Sequence, residues 1–263
     1  MKKILFLIFI SLQAFSQDKS IYVEYDVYYN TSSPRVKKSY LGITNNNLSK
    51  FIELPEYKLL NNETNEEATE EINTTTININ YMPNGVIRKV DINLIEKKIT
   101  SIETIVFNKI IFKVNETAPQ INWNIKYSET KLIGNYECLK ATTNFRGRNY
   151  IVWYAKEIPL RFGPWKLFGT PGLILEAYDE TFKYRWIAKE IKQQNEIFNS
   201  ITKKVVYDKE ITLKEFVDEK YNKQSDRKKF QEKVKSKLPR GAKANFKVNS
   251  NRQGKEIIFE WEK

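Results

Sequence analysis

The sequence has no histidine and a single cysteine in 263 residues. The first absence removes His-based catalytic triads, Cys-His dyads, histidine general bases and histidine-ligated zinc. The second removes thiolate zinc and iron–sulfur sites, and it leaves Cys138 without an intramolecular disulfide partner. Glycine and proline are scarce as well, with 9 and 8 residues. No glycine-rich phosphate loop of either common pattern occurs, so nucleotide chemistry is not expected. The inventory calls for no metal and no cofactor, and no recognised motif points to a nucleic-acid partner.

Long apolar runs are missing too. The longest lies in MKKILFLIFISLQAFSQ at the start, shorter than the roughly 20 residues of a membrane span. Its two lysines, short apolar core and small residues Ala14 and Ser16 form the pattern of a secretory leader cut after Ser16. Residues 1–16 are therefore expected to be a signal peptide and 17–263 a single domain, exported to the periplasm or the extracellular space. Without disulfides, stability falls on packing, and the chain carries 15 Tyr, 15 Phe and 5 Trp for that purpose.

Charge is plentiful but uneven around a formal net of +12. Residues 203–263 hold 18 Lys and Arg against 10 Asp and Glu, whereas residues 51–80 hold seven glutamates against Lys58 alone. In an exported protein the basic end suits either anionic envelope material, such as phosphorylated lipids and acidic glycans, or simply a solvated face.

Most of the chain reads as β. In IYVEYDVYY (21–29), Ile21, Val23, Tyr25, Val27 and Tyr29 fall on one face, the period of two of a half-buried strand. Strands are also predicted at 37–44, 48–54, 76–81, 86–92, 99–107, 109–114, 121–127, 136–145, 150–155, 173–179 and 182–191, with a last one in EIIFEW. Turns are expected at Pro83-Asn84-Gly85 and at Arg146-Gly147-Arg148. The acidic stretch 57–75 has no apolar period and reads as a solvated loop. Only after Thr212 does the period change: Leu213, Phe216, Val217 and Tyr221 make a helical stripe, with Thr212 and Glu215 as a capping box. A second helix is expected over 226–237. The predicted fold is mainly β, a single domain of many antiparallel strands curled into an open barrel or packed as two sheets, with one or two helices near the C-terminus. A curled sheet with aromatic inner faces would resemble the half-barrels of periplasmic lipid carriers, an analogy of shape alone.

Six of the seventeen Gly and Pro residues crowd into 159–172, among them Gly163, Pro164, Gly169, Pro171 and Gly172. Phe162, Trp165 and Phe168 alternate with these breakers, which argues for an ordered bend and against a linker. Pro171 and Gly172 suit a type II turn that launches Leu173 into a strand. Together with GNYECLKATTNFRGRNYIVWYAKEIP (134–159), the run GPWKLFGTPGLIL (163–175) resembles the signature of the GLPGLI family of secreted Bacteroidetes proteins. The specific match lies in 134–179, with Thr170 where the naming motif has leucine. The resemblance implies an exported protein and no particular reaction.

Candidate site residues cluster around this bend. Arg146 and Arg148 could clamp a phosphate or carboxylate, or stack on Tyr150 or Trp153. Trp153, Trp165 and Phe168 either line an apolar cleft for a lipid or peptide or plug the mouth of a barrel. Glu157, Glu176, Asp179 and Glu180 offer the carboxylates that glycan hydrolysis would need, or else are strand-end charges. Cys138 shares a face with Tyr136 and is either a packed thiol or a reactive one. Because the catalytic inventory is poor and the aromatic inventory rich, a non-enzymatic binding or assembly factor of the cell envelope is expected, holding a lipid, peptide or partner protein. A carboxylate-dependent glycan hydrolase and a purely structural secreted protein are the alternatives.

Overall fold

Two consecutive meanders, joined edge to edge, and one short returning strand make a sheet of twelve strands among the described residues. The computed structural model describes residues 20–31, 34–59, 87–105, 110–193, 205–221 and 254–262, with isolated positions between 228 and 252. The expected leader, the strand at 76–81, the turn at 83–85 and most of the second helix lie outside the described residues.

The first meander is β1 (Ile21–Tyr29), β2 (Arg35–Asn45), β3 (Leu48–Leu59), β4 (Arg88–Asn93), β5 (Lys98–Thr104) and β6 (Ile111–Thr117). The second is β7 (Thr130–Ile133), β8 (Tyr136–Phe145), β9 (Arg148–Ala155), β10 (Leu173–Asp179) and β11 (Tyr184–Lys192). They are joined where β1 pairs antiparallel with β11. A short β12 (Lys209–Thr212) then returns to lie parallel to β6 and leads into α1 (Leu213–Tyr221). The order across the sheet is β12-β6-β5-β4-β3-β2-β1-β11-β10-β9-β8-β7, and the sheet is mixed and not closed.

Alternation decides which face is inside. Val23, Tyr25 and Val27 are fully buried, and the same face carries across the sheet, with Tyr25 opposite Ser39 on one side and Ala188 on the other. Register shifts at Glu24/Tyr25, Lys37/Ser39 and Ile174/Glu176 mark bulges, which add twist and bend to a sheet too wide to stay flat. The curl brings the far ends together. Glu116 of β6 lies 2.5 Å from Arg146 in the β8–β9 turn, although eight strands lie between β6 and β8 in the sheet. One core cluster accordingly draws on both meanders and on the signature bend.

Three local expectations are overturned. Residues 121–127 alternate but form no strand: Asn124 alone bridges to Thr142, and Trp123 spends its indole N–H on the Phe168 carbonyl at 2.8 Å. EIIFEW forms no strand either, because the amides of Ile257 and Ile258 both donate to one carbonyl, that of Arg146, and Glu260–Glu262 close in a 3-10 turn. Gly172 does not take the positive φ of a type II turn. It is glycine for space, since a Cβ there would sit 2.1 Å from the Ala155 carbonyl oxygen. The helix cap holds as expected, with the Thr212 amide donating to Glu215 at 2.8 Å and the Glu215 amide to the Thr212 hydroxyl at 3.3 Å.

Candidate functional site

The signature bend folds into the interior of the curled sheet. Trp165 stacks on Trp186 of β11 with ring centres 6.0 Å apart and planes 6° from parallel, and it meets Phe145 edge-on at 5.9 Å. Its backbone is held at φ 58°, a left-handed conformation that non-glycine residues adopt only when the surrounding packing enforces it. Gly163 lies so close to Ile174 that a Cβ would come within 2.7 Å of that side chain, while Gly169 supplies a positive φ of 96°. Phe162 and Leu167 are fully buried and Phe168 nearly so. Thr170 is also buried and turns its hydroxyl to the Gly172 carbonyl at 2.7 Å. The bend is therefore an ordered wall, and Trp165 and Phe168 are part of its packing.

Among these apolar residues Lys166 stands out, a lysine only 1% exposed. Its ammonium pairs with Glu116 and reaches both oxygens of Glu256 at 3.2 and 3.3 Å. Burial opposes its charge, but the two glutamates outweigh that and raise its pKa above the ordinary lysine value. Arg146 joins the same cluster. It occupies, with Gly147, the two central positions of a tight turn in which both φ are positive, 46° and 82°, the geometry that suits a two-residue hairpin loop. Its guanidinium spreads over Glu116, Glu256 and Glu260, the last at 2.9 Å. Glu256 is held below the ordinary carboxylate range: burial would raise it, and Lys166 and Arg146 override that.

A second charged group lies farther along the interior. Glu53 of β3 is surrounded by Lys37 at 3.5 Å, Lys255 at 3.3 Å, Arg88 at 4.0 Å and the Tyr29 hydroxyl at 2.5 Å. Burial works against its ionisation, yet the three cations and the hydroxyl lower its pKa to about 2. Arg148 pairs with Asp179 at 3.0 Å and donates to the Gly254 carbonyl at 2.6 Å.

Both groups converge on the segment 254–262, which lies across the seam between the ends of the sheet. Besides the two amides on the Arg146 carbonyl, the Tyr150 hydroxyl donates to the Lys255 carbonyl at 2.9 Å. Lys255 also lies over the rings of Trp186 and Tyr29 at 5.1 and 5.2 Å. Phe259 enters a smaller cluster with Phe112, Val114, Leu213 and Phe216. Gly147 is also crowded, since a Cβ would come within 2.7 Å of the Ile257 side chain.

Of the residues singled out from sequence, Arg146, Arg148 and Trp165 meet at this seam. Phe168 is buried in the same core cluster as Trp165, with its carbonyl accepting from the Trp123 indole. Trp153 is on the opposite face of β9, half-buried, with the Lys131 ammonium 5.7 Å from its ring. The anion-clamping chemistry expected of Arg146 is realised toward carboxylates of the same chain. Glu176 and Asp179 are three residues apart on β10 and point to opposite faces, so they do not flank one cleft. Glu176 is paired with Lys131 and with Arg185 at 2.6 Å, while Glu157 and Glu180 are exposed. The two carboxylates that do lie close, Glu116 and Glu256, share Lys166 and Arg146. A depressed Glu256 is the reverse of the raised acid that glycoside hydrolysis uses. Cys138 is buried, and desolvation pushes its thiol up to about 11, away from nucleophilic use. Among the described residues, no group of three or more His, Cys, Asp or Glu could hold a metal, and no helix is long and apolar enough to cross a membrane.

Sequence reasoning missed Lys166, Glu116, Glu53 and the strap. A legible signal existed for the first: a lysine set between Trp165 and Leu167 in an aromatic-rich bend. The carboxylates gave none, because their partners lie tens to hundreds of residues away.

Neither a family model nor a curated protein matches the sequence. Among solved structures, PNGF-II in two crystal forms is similar at 15% identity, with TM-scores of 0.46 and 0.44 over 77% and 76% of this chain and 33% and 32% of that one. An uncharacterized conserved protein from Thermus thermophilus is similar at 9% identity, with a TM-score of 0.35 over 74% of this chain and 91% of that one. The chain thus spans about a third of the length of PNGF-II. Likenesses this distant carry no argument about activity.

Proposed function

We propose that the protein is a non-enzymatic exported factor of the cell envelope, related to the GLPGLI family, which binds or helps assemble a lipid, peptide or partner protein on the concave face of its sheet beside the signature bend. The observation that carries this reading is the seam. The Arg146-Gly147 turn presents a buried guanidinium and a backbone carbonyl, and Arg148 beside it a second guanidinium, toward a bent segment of the chain, and the bend at 159–172 supplies a buried ammonium beside them. Fixed donors and an acceptor on a packed scaffold are what recognition of a polar ligand requires. The competing hydrolase reading needs two carboxylates facing each other across an open cleft, and the acids near the bend are on opposite faces or committed to cations.

Native mass spectrometry on the protein recovered from its own exported fraction tests the reading. A non-covalent adduct, or an envelope protein retained on the immobilised chain, is the expected result. A bare chain that also retains nothing from lipid, peptide and envelope-protein panels would remove it. Turnover of an envelope glycan, abolished by Glu176→Gln, would install the hydrolase in its place.

A further inference from the structure

The seam is filled by an occupant that the protein itself supplies, and that occupant is held differently from the rest of the fold. The strap 254–262 makes no ladder with any of the described strands, and Phe259 is its sole buried side chain. Its other attachments are those a separate peptide would make. Two consecutive amides meet the Arg146 carbonyl, two strap carbonyls accept from Arg148 and Tyr150, and two carboxylates four residues apart meet Arg146 and Lys166. Lifting the strap would leave five cations, Lys37, Arg88, Arg146, Arg148 and Lys166, facing four carboxylates, Glu53, Glu103, Glu116 and Asp179. A buried excess of positive charge favours an acidic occupant and strongly disfavours an empty seam.

We propose that this seam is a docking site for an acidic, aromatic peptide segment of a partner protein, of the pattern Glu-x-x-aromatic-Glu, and that residues 254–262 are a ligand in cis which competes with it. The inference rests on the binding-factor reading and names its partner class. Charge complementarity selects the carboxylates. The slot beside Phe112, Val114 and Phe216 selects the ring. The absence of a side chain at Gly147 leaves room for the branched side chains of Ile257 and Ile258 against the turn. Exchange is feasible because, although the Lys255 and Glu256 side chains are only 12% and 15% exposed, the strap joins no ladder of the described strands and buries a single ring, and segments with few buried apolar contacts open most easily.

The test uses the full chain and a labelled peptide copying residues 252–263. Glu256→Gln with Glu260→Gln loosens the strap, so this double variant should bind the peptide about tenfold or more tightly than the unaltered chain does. A peptide with glutamine at both glutamate positions should bind it correspondingly more weakly. In the unaltered chain, excess peptide should speed hydrogen exchange at the Ile257 and Ile258 amides, a readout that needs no variant to fold. Unchanged exchange, or affinity indifferent to the peptide's glutamates, overturns the proposal. So does a dimer of the unaltered chain that exchanges straps between copies, since the site would then serve self-association. Failure of the peptide while the protein still retains envelope material would sink this inference alone and leave the broader function standing.

Discussion

The signature bend and the C-terminal strap fill the same concavity by opposite means. The bend is held by packing: Trp165, Phe162 and Leu167 are buried in a cluster with Trp186, Phe145 and Ile174, and glycines stand at 163 and 172 where a Cβ would collide. The strap buries one ring and otherwise depends on ions and backbone hydrogen bonds. Close packing gives a contact that is insensitive to solution conditions and hard to rearrange. Paired charges give one that responds to acid and to competing ions, and whose parts can be replaced by a similar set. A wall and a replaceable occupant have been built side by side, with Lys166 the residue that belongs to both.

Breaking the wall should have the largest effect. Trp165→Ala removes the stacked ring and is expected to lower unfolding free energy by about 4 kcal/mol, read from urea melts. A loss much smaller than this, with capture of ligand abolished, would return Trp165 to the role of a contact residue. Loosening the occupant should matter less: Glu256→Gln leaves Arg146 and Lys166 short of a counterion and should cost about 2 kcal/mol near neutral pH.

Acidity separates the two regions further. Glu53 falls from an ordinary 4.5 to about 2 in the fold, and Glu256 is lowered as well. Both bind protons more readily in the unfolded chain, so their stabilisation is whole above the ordinary carboxylate value and fades as pH drops through it toward the folded values. Lys166, raised by its glutamates, acts at the other end: its contribution is whole below the ordinary lysine value and is lost as pH climbs through the folded one. The gap between the unaltered chain and Glu256→Gln should therefore narrow on acidification, whereas the Trp165→Ala deficit should persist. A Glu256→Gln gap that stays constant from about pH 7 to about pH 3 would contradict this account. Smallest is Thr212→Ala, expected to destabilise by about 1 kcal/mol through loss of the α1 cap and to speed amide exchange only in Leu213–Tyr221 and its neighbours.

Much of the sheet was legible because alternation and turn chemistry are local. The strand 136–145, the Arg146-Gly147 turn, the strand 173–179 and the Thr212 cap lie where their residues predict. β7 and β12, four residues each, are too short to show a period. The alternation over 121–127 misled because Trp123 is recruited by a carbonyl in the bend, a contact 45 residues away. The site was half legible. Arg146 and Arg148 announced an anion clamp, but their partners are 110 and 106 residues distant in Glu256 and Gly254, and no pattern within a window can reveal such pairings. The apolar run Ile257-Ile258-Phe259 suggested a strand, and it became a strap because Arg146 offers one carbonyl to two successive amides.

Cys138 gives the molecule a built-in clock. With no second thiol to react with, and a sulfur enclosed by the sheet, it can be alkylated only during excursions that part β8 from its neighbours. The rate of labelling then reports the frequency of those excursions. Because β8 carries the turn on which the strap rests, a ligand that steadies the seam should slow labelling, and one held elsewhere should leave the rate unchanged.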